Sequence, residues 1–302
     1  MNAAPALLGY AAVVGFAVPR LMTRSAWPYR APAPAVAVWL ALTVSFTLAV
    51  ALAASQLATP TEHLHAGLLG LLHACGLGTS APVPSPSTAQ RLALAMPLVV
   101  VTAVVAASLL QLARTGRARA RHRDRLDKVG VRCDRLRVTV LPHATPGAYC
   151  LPGFRSRIVV SDAAVELLTE EQMGAVLAHE RAHVAGRHHV LLAAAHGFAA
   201  VFPRLPLARL AREQLAVLLE MTADDRALRQ HSREVLATAM YEMAASRAPE
   251  GAFAVGGSTA LLRMSRVLAP HRAPHPAFRG SMASVALAVP LLPLLVACPP
   301  GL

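Results

Sequence analysis

Residues 169–189 read TEEQMGAVLAHERAHVAGRHH, and this segment organises the rest of the chain. Thr169 followed three residues later by Gln172 is a capping box, and Glu170 and Glu171 sit at the positive end of the helix it starts. Met173, Val176, Leu177 and Val184 recur at helical spacing, which predicts one buried face. Gly186 is a natural helix stop. On this helix His179, Glu180 and His183 form the pattern H-E-x-x-H. Residues four apart stand one turn apart on one face, so both imidazoles can reach a single Zn²⁺. Glu180 is the neighbour placed to take a proton from the attacking water.

A catalytic zinc takes three protein ligands and keeps one position open. Downstream, residues 215–228 read LAVLLEMTADDRAL, a helix-patterned stretch. Glu220 follows its apolar run and is the natural third ligand. Asp224, one turn later, is expected to accept the free ring N–H of a ligand histidine and fix its tautomer. Glu213 is a competitor one heptad earlier, without an acid four positions on. His188 and His189 follow Gly186, off the ligand face, and read as surface or substrate-side residues. The oxyanion partner stays open among His188, His189, Tyr241 and the arginines. Upstream, RVTVL (137–141) and RIVVS (157–161) are β-branched runs, and GAYCLPGF between them reads as a turn in a small sheet. A strand beside the motif helix would give a peptide substrate an edge to pair with.

Around this segment the chain is unlike a soluble protein. Of 302 residues, 55% are hydrophobic and only 15% charged, and mean hydropathy is +0.47; soluble domains carry about 25% charged residues. Four stretches are long and apolar enough to span a bilayer: about 3–19, 36–57, 92–113 and 283–302. The first lacks a basic n-region and reads as a retained helix rather than a signal peptide. Net charge is +13, and Lys128 is the only lysine. Arg20, Arg24 and Arg30 follow the first span, and Arg114, Arg117, Arg119, Arg121, Arg123 and Arg125 follow the third. The positive-inside rule then places the N-terminus outside and the long segment after Arg114 in the cytoplasm. The arginine run marks a membrane exit, so no direct nucleic-acid binding is expected.

The expected organisation is three spans over 1–113 with an outer loop at 58–91, a cytoplasmic domain over 114–282, and a fourth span over 283–302. The outer loop holds His63, His65 and His73, read as interfacial histidines. Cys75 and Cys298 fall on the outer side, where a disulfide is conceivable, and Cys133 and Cys150 are expected to be plain thiols. No ionisable residue lies within a span, which argues against a metal transporter. Arg- and Ala-rich usage suggests a GC-rich bacterial source.

The ordered series AYCLPG, RIVVS, AVLAHERAHVAGRH and EMTADDRA resembles membrane-bound gluzincin metallopeptidases of the BlaR/MecR antirepressor type and their HtpX and CAAX-prenyl protease relatives. That resemblance covers about residues 136–229 by motif and the remainder by topology. It implies His179, His183 and Glu220 as ligands of one catalytic Zn²⁺, Glu180 as catalytic base and Asp224 as supporting acid. The fold it implies is a predominantly α-helical integral membrane protein, four transmembrane helices with an inserted α+β zinc-peptidase domain and a small sheet. The implied setting is a multi-pass protein of the bacterial plasma membrane cutting a protein substrate on the cytoplasmic side, such as a BlaI/MecI-like repressor. The chain ends just after the fourth span, so the external penicillin-binding sensor of that type is not expected here. Gly147 stands where HtpX proteins carry Asn. The rival readings are an HtpX-like quality-control protease and a non-proteolytic signalling or scaffold protein.

Overall fold

The computed structural model describes residues 3–58, 88–246, 257–269 and 275–297. His63, His65, His73, Cys75 and Cys298 lie outside the described residues. Among the described residues the chain is mostly helical with one small mixed sheet, and four helices are long and apolar enough to cross a membrane by length and composition.

Helix α1 (Ala4–Arg24) winds as a π-helix over Val13–Ala17. Pro19 has no N–H to give the Gly15 carbonyl, and widening the preceding turn relieves the clash of its ring. The wide turn sets Gly15 against Phe46, where an added Cβ would lie 2.9 Å from the ring. After the short α2 (Trp27–Arg30) comes α3 (Pro32–Ala58), the hub of the apolar layer. It packs against α1, against the third apolar helix α4 (Thr88–Val129), and against the C-terminal helix α11 (Pro276–Ala297). Within α11, Pro293 cannot donate to the Val289 carbonyl, so the turn tightens to a 3₁₀ form with Leu292 donating instead. The buried Ser45 hydroxyl of α3 donates a second bond to that carbonyl at 2.8 Å, and Tyr10 of α1 joins Ser45 at 2.7 Å. A polar knot thus ties three apolar helices together.

Helix α4 does not stop at residue 113, where the third apolar stretch ends. It runs on as an arginine-rich helix to Val129, about 63 Å in all. Its end feeds the sheet, whose strands β1 (Val131–Cys133), β2 (Val138–Leu141), β3 (Ala148–Leu151) and β4 (Arg157–Ser161) lie in the order β1-β2-β4-β3. β1 and β3 pair antiparallel with β2 and β4 respectively, while β2 and β4 are parallel. The residues expected to turn at 147–154 therefore divide: AYCL is an edge strand, and the chain bends only after it, at Gly153 (φ 142°), and turns through Phe154 and Arg155. Arg137 is no strand residue either; it closes the β1–β2 hairpin in the left-handed region, φ 54°.

The remaining helices are α5 (Asp162–Leu167), α6 (Glu170–Ala185), α7 (His188–Val201), α8 (Pro206–Ala227), α9 (Arg233–Ala245) and α10 (Gly257–Leu268). α7 lies across α4 so closely that a Cβ on Gly197 would stand 2.5 Å from the Ser108 backbone. α8 doubles back beside α3. Trp39, Leu42 and Phe46 of α3 join Phe198 of α7 and Leu215, Leu218 and Met221 of α8 in one buried cluster. The helix that carries the candidate third ligand is thus seated directly on the apolar layer. A separate core under the sheet, Val138, Ile158, Val160, Met173 and Leu177, fixes α6 from its other side.

Candidate metal centre

α6 begins with the capping box in place: Gln172 N–H donates to Thr169 Oγ1 at 3.2 Å and Thr169 N–H to Gln172 Oε1 at 2.9 Å. With Met173, Val176 and Leu177 buried, the opposite turn presents His179 and His183 to α8. Glu220 approaches from α8. His179 Nε2 and His183 Nε2 are 3.1 Å apart, and Glu220 stands 3.5 Å from the first through Oε2 and 3.3 Å from the second through Oε1.

These three residues offer donor atoms within 4.8 Å of one another, close enough to share one metal ion. A tetrahedral ion with ligands at about 2.0–2.1 Å requires donor–donor edges of about 3.3 Å. Among the described residues, His179, His183 and Glu220 are the group that could hold an ion. Each histidine is backed through its other nitrogen. His179 Nδ1 lies 2.9 Å from Oδ1 of Asp224, which is fully buried. The ring N–H is angled away from that oxygen and makes no well-formed hydrogen bond, so the contact is a charge contact at short range. His183 Nδ1 lies 2.8 Å from His188 Nδ1. Both contacts engage Nδ1 and leave Nε2 facing the shared centre.

His188 is therefore not a surface residue, as its place after Gly186 suggested. It is 4% exposed and packs edge-on against His183. The chain reverses at Arg187, which adopts the left-handed conformation (φ 48°) expected of glycine, while Gly186 stays right-handed at φ −78°. Gly186 serves another need: a Cβ there would fall 2.4 Å from His188 Nε2, so the missing side chain is the space the ring occupies. His189 stands on α7 beside Arg119 and Arg187, and Tyr241 is half-exposed on α9.

Charge in the site is strongly organised. Burial alone would hold His179 low, but Asp224 and then Glu220 outweigh it and push it up to about 9. Burial would raise Asp224, yet Arg263 and His179 bring it down to about 2. Glu220 is likewise lowered, its burial outweighed by His179 and Arg263. His188 falls to about 4 through burial and the neighbouring His183, so it stays neutral and can accept the His183 Nδ1–H. Glu180 moves the other way, raised chiefly by burial. The thiol and backbone N–H of Cys150 on edge strand β3 lie against the Glu180 carboxylate, and the thiol is pushed up to about 12, first by burial and then by Glu180. Cys150 is thus a neutral neighbour of the candidate base.

Arg263 of α10 was not legible as a site residue. Its Nε and Nη2 bond Asp224 at 2.9 and 2.7 Å, and its Nη1 reaches Glu220 at 2.8 Å. Glu213 does not join the donor group; it lines a cavity of about 470 Å³ beside it, with His183, Leu192, Val217, Glu220 and Thr259. A larger cavity, about 730 Å³, lies behind α6 against β2 and β4 and contains none of the donors.

Neither a curated protein nor a solved structure matches the chain. The model of peptidase family M48, a family of metal-dependent peptidases, matches residues 112–276, more than half of the 302. That span holds the motif helix, the sheet, α8 and α10, and the chain belongs to peptidase family M48.

Proposed function

We propose that this chain is a membrane-embedded zinc endopeptidase of the BlaR/MecR type, working on the cytoplasmic side by regulated cleavage of a repressor protein. The observation that carries the peptidase reading is the convergence of His179, His183 and Glu220 beside Glu180, with donor atoms within 4.8 Å of one another. Two imidazoles and a carboxylate are the donor set of zinc hydrolases, which favours zinc as the ion. Bound there, zinc would supply Lewis-acid polarisation of a peptide carbonyl and acidification of a water.

The chain's own residues do the rest. A substrate strand adds alongside edge strand β3 and brings a peptide bond up to Glu180, whose neighbour on that strand is Cys150. Glu180, raised by burial, is a better base than an exposed carboxylate. It takes a proton as the water oxygen bonds the carbonyl carbon, then delivers it to the amine as the C–N bond breaks. His188 backs His183 through Nδ1, and the Asp224 carboxylate stands against Nδ1 of His179. The membrane setting is supported by the four long apolar helices and by the seating of α7 and α8 on α3 and α4. The arginines after the first and third apolar stretches support the cytoplasmic orientation.

One observation favours HtpX-like turnover of membrane proteins as a second reading. The 470 Å³ cavity beside Glu220 is lined in part by Leu192 of α7 and by Glu213 and Val217 of α8, the two helices that pack on the apolar layer. Mass spectrometry of new protein N-termini in cells expressing wild type or Glu180→Gln separates the two. New termini confined to one cytosolic DNA-binding protein, absent with Glu180→Gln, are the expected result. Termini scattered through membrane proteins would replace the repressor reading with turnover, and identical termini from both proteins would overturn Glu180 as the base.

A further inference from the structure

α10 faces α8 with two arginines one turn apart, opposite two consecutive aspartates. Arg266 forks onto Asp225 at 2.7 and 2.9 Å and donates through Nε to the Tyr29 carbonyl at 2.7 Å, which fixes the register of α10. In that register Arg263 reaches past the helix surface and bridges two carboxylates at once. Its Nε and Nη2 take both oxygens of Asp224, and its Nη1 takes Glu220 Oε2. The other oxygen of Glu220, Oε1, is left facing His183.

Glu220 and Asp224 are like charges one turn apart on one helix face, an arrangement that repels. Asp224 is fully buried, where an ionised carboxylate needs a cation and hydrogen bonds to persist. Arg263 answers both needs with a planar fork that a lysine cannot reproduce. All three of its nitrogens are engaged by the two carboxylates, so none is aimed at a reacting group. We propose that Arg263 is the positioning residue of the metal centre: it holds Glu220 by Oε2, leaving Oε1 toward His183, and it holds Asp224 against His179. This role rests on the reading of His179, His183 and Glu220 as the metal centre.

The test measures zinc affinity of the full-length protein in detergent by chelator competition, and the visible spectrum of the Co²⁺-loaded form. Removing a residue that orients a metal ligand lowers affinity about 10–100-fold. Arg263→Gln is expected to lose that much and to change the intensity of the cobalt bands. Arg263→Lys, which keeps the charge without the fork, should fall between Arg263→Gln and wild type, and it decides the matter if Arg263→Gln does not fold. Arg266→Gln breaks the same helix's other clasp and should weaken zinc by less than about threefold. Equal losses in Arg266→Gln and Arg263→Gln would mean that docking of α10, not Arg263, is what matters, and would overturn the proposal. So would unchanged affinity and spectrum in Arg263→Gln. A wild-type protein that binds no zinc would instead overturn the metal centre itself.

Discussion

Gly186→Ala puts the smallest side chain into the space held by His188. The new Cβ would lie 2.4 Å from Nε2 and 2.5 Å from Cδ2 of the ring, where ordinary contact begins at 3.4 Å. Something must therefore move by about 1 Å. The ring cannot swing into solvent, because His188 is 4% exposed and its Nδ1 is held at 2.8 Å by His183. The backbone at 186 is right-handed, so alanine itself is tolerated there and would add about 0.4–1 kcal/mol by stiffening the unfolded chain. Overpacking costs about 1–3 kcal/mol and a buried, tethered ring puts the site toward the upper end, so the clash outweighs that gain, for a net loss of up to about 2.6 kcal/mol. Displacing His188 also releases His183, which lowers metal affinity by about 10–100-fold. Denaturant unfolding in detergent reads the first effect and zinc–chelator competition the second. In the double variant Gly186→Ala/His188→Ala the clash is gone, so stability should recover while metal affinity stays low. Wild-type stability together with wild-type zinc affinity in Gly186→Ala would refute the reasoning.

Gly197→Ala should also destabilise, since its Cβ would meet Ser108 backbone atoms at 2.5 Å; the helix propensity gained, about 1 kcal/mol, does not offset separating α7 from α4, and a Tm at or above wild type would contradict this. Ser45→Ala removes a hydrogen bond to the Val289 carbonyl inside the apolar layer and should cost about 1 kcal/mol by thermal unfolding in detergent, whereas Thr43→Ala, whose hydroxyl bonds only its own helix at Leu40, should cost less. Zinc binding should depend on pH with a definite sign. A ligand histidine must be neutral, and without metal His179 is pushed up to about 9, so below that pH zinc must expel its proton. Affinity should rise about tenfold per pH unit toward 9 and then level off, with about one proton released per ion at pH 7 by calorimetry in buffers of different ionisation enthalpy. His183, lowered by burial, is already neutral and adds nothing to that slope, so a slope near zero between pH 7 and 8.5 would contradict the His179–Asp224 contact.

The motif helix was legible because everything it needs is local. The cap, the buried face and the two imidazoles one turn apart all lie within residues 169–185. Glu220 and Asp224 were legible because an apolar run frames them on one helix. His188 was not. On an unbroken helix a residue five positions on points away from His183, and only the reversal at the left-handed Arg187 brings it back. Arg263 is 39 residues from Asp224, and no periodicity announces a contact between two helices. Strands β1 and β3 have only three and four residues, too few for an alternation to show, and pairing with β2 and β4 decides them. The apolar stretches were visible by length, but not that α4 would continue to Val129. Nor was it visible that Trp39 and Phe46 would share a buried cluster with the helix bearing Glu220.

The most direct test of the site is a comparison of purified wild type, Glu180→Gln and His179→Ala in detergent, reading zinc content and cleavage of an unfolded protein substrate together. Glu180 is a base and not a ligand in this arrangement, so Glu180→Gln should keep about one zinc per chain and lose cleavage, while His179→Ala should lose both. Cleavage by Glu180→Gln at the wild-type rate would contradict the assignment, as would full zinc content in His179→Ala.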